Sequence, residues 1–237
     1  MIFIWAVLLL PFLGTCLGSL GVFGLRNAMP GLHRALEGSA AGVMTAASVW
    51  SLLLPAIEKS GQWGSFAFLP AALGLWAGFL FLLALEKLIP AEGSLLFPAV
   101  TIHNLPEGMA VGVALAAFLQ TGVGAPGVLA LSVGIALQNI PEGAIVSMPM
   151  HAGGMGKAKA FLWGVASGAV EPMGAGLTLL LAALVTPMLP FFLSFAAGAM
   201  LFVVTQELVP GMQGGKSGVL SFCCGFSLMM ALDVALG

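Results

Sequence analysis

Runs of about twenty apolar residues recur along this chain with only short polar breaks, and that pattern limits the folds open to it. Cut at polar residues, glycines and prolines, the runs fall at about 2–22, 37–57, 66–86, 93–119, 124–149, 159–185, 188–210 and 217–236. Each is long enough to cross a bilayer as a helix. Lipid offers the backbone no hydrogen bonds, so every amide must be satisfied inside its own helix or a closed barrel. The expectation is an all-α integral membrane protein of eight transmembrane helices, one transmembrane domain over 1–237. The opening MIFIWAVLLLPFLGTCLGSL has no basic flank and reads as the first of these helices, not as a cleaved signal peptide.

Composition agrees. Only 7% of the 237 residues are charged, and 60% are hydrophobic. A soluble domain carries about 25% charged residues. The net charge of -2 gives no basic surface for nucleic acid, so the environment implied is the lipid bilayer. Cys16, Cys223 and Cys224 lie in apolar segments and read as small core residues, not as a disulfide or thiolate metal site. Arg26, Arg34, Lys87, Lys157, Lys159 and Lys216 follow segments 1, 3, 5 and 7, whereas only Lys59 follows an even one. This bias places the odd loops in the cytoplasm and both termini outside. AAGVM at 40–44 and AAGAM at 196–200 lie in the second and seventh segments, which run in opposite directions. That is the trace of an inverted repeat, with helices 1–3 mirrored by 6–8 around helices 4–5.

Two polar sextets interrupt the apolar pattern: HNLPEG at 103–108 and QNIPEG at 138–143. Within a helix, His103 and Glu107 share a face, with Asn104 at its edge; Gln138, Asn139 and Glu142 do the same. Pro106 and Pro141 each free a carbonyl one turn back, which is tolerated at membrane depth only where it is buried or lines a wet cavity. Gly108 and Gly143 allow a neighbouring helix to come close. EPMGA at 171–175 brings a third acid, Glu171. Counted from the expected ends, Glu107, Glu142 and Glu171 all fall near mid-bilayer. A single carboxylate there costs several kcal/mol, and three would repel. A lone buried histidine or amide would need no more than a neighbouring helix. Two copies and a third acid at one depth favour a shared cation. One imidazole, carboxamide oxygens and carboxylates suit a divalent first-row metal such as Zn²⁺, Fe²⁺ or Mn²⁺.

HNLPEG, QNIPEG and EPMGA resemble the signatures of the ZIP (Zrt-, Irt-like) divalent-metal transporters, especially the bacterial GufA-like branch. AAGVM, AAGAML and the closing LMMALDVALG extend the similarity over nearly the whole chain. The resemblance implies a multi-pass protein of the bacterial cytoplasmic membrane that moves Zn²⁺, or Fe²⁺, Mn²⁺, Co²⁺ or Cd²⁺, inward by alternating access. The metal is substrate, and no cofactor is expected; a homodimer is an assembly open to it. A two-metal site is implied. His103, Glu107, Gln138 and Glu142 match the first position, and Asn104, Asn139, Glu142 and Glu171 the second, with Glu142 bridging. Met44 matches a weaker position beside the first metal, and Ser51 the outer pathway. Glu86, Gln206 and Glu207 resemble an exit relay. Many relatives have histidine in place of Gln138, aspartate in place of Asn139 and a histidine-rich third loop. Here those features are absent, which leaves the metal preference and the second position open.

Two rivals follow from the same residues. An intramembrane metalloprotease would need a metal-bound water and a glutamate base, as in HExxH. HNLPE instead puts Glu107 on the histidine's own face, with no second histidine in the apolar segments. A channel, or a proton-coupled carrier using the carboxylates as a relay, shares the same site and is not separated from a metal carrier by sequence.

Overall fold

A computed structural model describes residues 2–24, 30–88, 96–182 and 188–236. Among the described residues all regular structure is helical. We label the rods in chain order. Helix α1 is Ile2–Ser19, continued by Gly21–Gly24; α2 is Pro30–Ala47, continued through a π-helical turn, Ser48–Leu53, into Leu54–Lys59. A short 3₁₀ segment, Gly61–Phe66, leads to α3, Phe68–Leu88, then α4, Leu96–Thr121, and α5, Ala125–Ala152. Helix α6 comes in two pieces, Lys157–Gly168 and Val170–Leu180. Helix α7 is Leu189–Val203, a π-helical turn Val204–Leu208 and Val209–Gly211; α8 is Lys216–Leu236. Among the described residues six stretches are long and apolar enough to cross a membrane: Ile2–Gly24, Gly31–Lys59, Phe68–Lys87, Ala125–Met148, Leu189–Gly211 and Lys216–Ala235.

Several boundaries differ from the sequence reading. Helix α2 begins at Pro30 rather than near 37, so His33 and Arg34 sit on its first turns and not in a loop. Proline at a helix start forfeits no hydrogen bond, which explains the early entry. There His33 Nε2 pairs with Glu37 Oε1 at 3.0 Å, one turn on. Helix α6 breaks at Ala169, because Pro172 cannot donate to the carbonyl of Gly168. Cys223 and Cys224 are exposed on α8 and Cys16 is only half-buried, so the two neighbours are not core residues. Arg26 and most of the KLIPAEG connection lie outside the described residues.

The helices pair through glycines. Helix α1 packs chiefly on α5, α2 on α8, α3 on α7 and α4 on α6. In each pair one helix carries glycines four apart: Gly14 and Gly18, Gly38 and Gly42, Gly74 and Gly78, Gly108 and Gly112. A Cβ at Gly14 would overlap the Ala136 carbonyl, and one at Gly18 that of Ile140. One at Gly78 would strike the Phe195 carbonyl, and one at Gly108 that of Glu171. Lipid tails are as apolar as leucine, so close backbone packing of this kind supplies the association that water would otherwise drive.

These pairs join into two groups. Helices α1, α4, α5 and α6 all touch one another, while α2 and α7 together bind α3 and α8; α5 and α4 face α2 and α7 across the boundary. Proline in α1 is accommodated within the first group. Pro11 leaves the Val7 carbonyl without its helical amide, and Ser132 Oγ of α5 donates to it at 2.7 Å. The two π-turns also correspond. One starts four residues after Met44, the other four after Met200, and a proline, Pro55 or Pro210, follows each.

If backbone contact at glycine holds the pairs, Gly78→Ala should lower the apparent Tm in detergent by on the order of 5 °C. Gly127→Ala, where a Cβ meets nothing within 4 Å, should leave it unchanged or raised. Equal melting of the two variants would contradict the packing argument.

Candidate functional site

The prolines of the two sextets stay inside continuous helices, Pro106 in α4 and Pro141 in α5. Both helices therefore carry their polar residues at the register expected from sequence, and both are buried against neighbours. Asn104, Glu107, Gln138 and Asn139 are 0% exposed, Glu171 1% and Glu142 6%. Gln138 Nε2 donates to Glu107 Oε1 at 2.5 Å, which sets the sextets of α4 and α5 level with each other. Asn104 Nδ2 donates to the Ser167 carbonyl of α6 at 3.0 Å, and Asn139 Nδ2 to the Pro11 carbonyl of α1 at 3.4 Å. Thr15 Oγ1 of α1 donates to Glu171 Oε1 at 2.7 Å.

These bonds share one pattern. Each carboxamide spends its N–H on the protein and keeps its oxygen free. Buried oxygens without a hydrogen-bond partner remain on Asn104 (Oδ1), Glu107 (Oε2), Gln138 (Oε1), Asn139 (Oδ1), Glu142 (Oε2) and Glu171 (Oε2). A buried acceptor left unmade costs about 1–3 kcal/mol, more when charged. Six such atoms on three adjacent helices, α4, α5 and α6, form a set of acceptors that no donor among the described residues meets. Glu107, Glu142 and Glu171 lie near enough to repel one another. What such a set can do chemically is take up a cation. Among the described residues no three His, Cys, Asp or Glu side chains make a cation site on their own. The carboxamide oxygens of Asn104, Gln138 and Asn139 lie open beside the carboxylates as further donors. His103 lies in α4 one turn before Glu107, but its side chain is outside the described residues.

The remaining candidates lie elsewhere. Met44 is fully buried on α2, the facing helix of the other group. Ser51, in the π-turn of α2, donates to Asp233 Oδ1 of α8 at 2.6 Å. Ser51 and Asp233 line a cavity of ≈ 480 Å³ between the two groups, with Trp50, Glu58, Leu131 and Leu193. Gln206 and Glu207 are exposed on the π-turn of α7, and Glu207 lies near Glu142 and Glu37. Glu86 is exposed at the end of α3. The sequence reading gave no role to Thr15, Pro11, Glu37 or Asp233. For α1 a signal was there: Pro11, Gly14, Thr15, Gly18 and Ser19 make one small and polar face on an otherwise bulky helix.

Comparison with known proteins adds an independent line. The profile of the family described as ZIP Zinc transporter matches residues 91–233. The chain is 34% identical to the zinc transporter ZIP11 of Xenopus tropicalis, over 96% of this chain and 98% of that one. It is 36% identical to the zinc transporter ZIPB of Bordetella bronchiseptica, over 95% and 79%, and 34% identical to the zinc transporter GufA of Myxococcus xanthus, over 79% and 81%.

A polar pair kept for chemistry rather than for the fold should be replaceable without loss of stability. The double variant Glu107→Met with Gln138→Met should melt, metal-free, at or above the wild-type temperature, while Gln138→Met alone melts lower. A large loss in the double variant would mean that the pair holds the fold together.

Proposed function

The chain belongs to the ZIP zinc transporter family, and from that premise we propose that it carries Zn²⁺, or a related divalent transition metal, across the membrane into the cytoplasm as a secondary transporter. The observation that carries this reading is the set of six buried, unpartnered oxygens on α4, α5 and α6. A metal entering the bilayer loses its water, and these oxygens take the place of that water. His103, Glu107, Gln138 and Glu142 would hold a first ion, and Asn104, Asn139, Glu142 and Glu171 a second, with Met44 a weaker neighbour of the first.

The mechanism proposed is alternating access. All six oxygens belong to the group α1, α4, α5 and α6, so the group can shift against α2, α3, α7 and α8 while keeping its donor geometry. Ser51 would lie on the outer approach, and Glu86, Gln206 and Glu207 on the inner exit. The topology proposed has α4 and α6 crossing as well, eight spans in all, with both termini outside. An inverted repeat of helices 1–3 and 6–8 is supported by the matched π-turns and by the pairing. Under that repeat the α1–α5 pair corresponds to α6–α4, and the α2–α8 pair to α7–α3.

Radioactive zinc uptake into proteoliposomes tests the reading directly. Wild type should show saturable uptake, and Glu142→Ala, still folded and inserted, should lose it. Protons compete with metal for His103 and the carboxylates, so initial rates should fall between pH 7.5 and pH 5.5. Unchanged uptake in Glu142→Ala would overturn the ligand assignment, and rates flat across that range would count against proton competition.

A further inference from the structure

Helix α1 touches the candidate site through a hydroxyl that, like those of Ser51 and Ser132, donates across to another helix. Serines and threonines inside apolar helices ordinarily return their proton to their own chain, one turn back. Thr45 donates to the Ala41 carbonyl, Ser48 to Met44, Ser147 to Gly143 and Thr178 to Gly174. The corresponding acceptor for Thr15 is the carbonyl of Pro11. Thr15 leaves it and donates across to Glu171 Oε1 at 2.7 Å. The Pro11 carbonyl is taken instead by Asn139 Nδ2. One turn of α1 thus holds two site residues that come from different helices, α5 and α6. Each is left with one free buried oxygen, Oδ1 of Asn139 and Oε2 of Glu171.

The packing is built around this turn. Thr15 is 0% exposed. A Cβ at Gly168 of α6 would collide with the Thr15 side chain, and one at Gly143 of α5 with the Thr15 carbonyl. Both glycines therefore admit α1 to the place where its hydroxyl and carbonyl reach the site. Gly14 and Gly18 fix the height of that turn against α5.

We propose that Thr15, with the Pro11 carbonyl, is a positioning residue for the metal site, orienting Glu171 and Asn139 so that their free oxygens face the ion. This rests on the transporter reading above. Groups that orient metal ligands are worth roughly 10- to 100-fold in metal affinity. Thr15 touches no ion itself; it acts through Glu171.

The test uses the full chain in detergent and Zn²⁺ as the probe. Affinity and stoichiometry are measured by competition with a metallochromic indicator, and metal-free Tm is recorded alongside. Glu171→Ala and Glu142→Ala define the binding events that involve the site. Thr15→Val should weaken about 10- to 100-fold the same event that Glu171→Ala removes, and Thr15→Ser should restore it. Thr15→Ala, which removes the donor without adding a metal ligand, should weaken the same event, and it carries the test if the valine variant does not fold. Wild-type zinc affinity in Thr15→Val or Thr15→Ala overturns the inference, including the case where only the metal-free Tm drops. Zinc binding undiminished in both glutamate variants would instead overturn the site reading beneath it.

Discussion

Contact between bare backbone and backbone is what the rest of this protein depends on. In water, helices are driven together by burying apolar surface; in lipid that drive is absent, and attraction comes from close packing and a few polar bonds. Glycines four residues apart let a carbonyl of the neighbouring helix sit where a side chain would otherwise be. The approach has a second effect. Helices held so close leave no room for water beside the polar residues at their crossings, so the environment of Glu107 and Glu171 is fixed by the same glycines that fix the helix pairs. Gly108 serves both ends, since it lies against the backbone of Glu171 itself.

The site is then a region where local stability has been given up. Three carboxylates and three carboxamides are packed together, their donors are used on protein carbonyls or on one another, and their remaining acceptors meet no donor among the described residues. A core built for stability alone would put hydrocarbon there. The uniform direction of the imbalance, with oxygens unmatched and nitrogens matched, separates this arrangement from a chance accumulation of polar residues.

The apolar runs and their punctuation were enough to read an all-helical chain with membrane-length helices, and the two sextets with EPMGA to pick out polar residues that the structure buries on α4, α5 and α6. Both signals are local: twenty hydrophobic residues, or a histidine and a glutamate one turn apart, carry their meaning within a single segment. What could not be read is relational. Thr15 looks like any helical threonine until Pro11 is seen to be engaged elsewhere. Cys223 and Cys224 look buried by composition, yet which side of α8 faces outward is decided by its partner α2. The early start of α2 and the break in α6 come from prolines, Pro30 and Pro172, whose effects depend on which carbonyl each would have bonded. The glycine pairs were visible as letters; that each marks a different helix–helix crossing was not.

The three buried carboxylates have a further consequence under the proposed mechanism. A group of helices that shifts within the membrane takes its charges with it, and displaced charge does work against the membrane voltage, about 2.3 kcal/mol per elementary charge per 100 mV. One divalent ion neutralises two of the three carboxylates; with the site empty, each carboxylate that stays ionised remains uncompensated. In a cell whose interior is negative, the voltage therefore pushes the empty group outward more strongly than the group holding one ion. The membrane potential would act chiefly on the return of the empty site to the outer face, so that an electrical gradient could speed uptake without pulling on the metal at all.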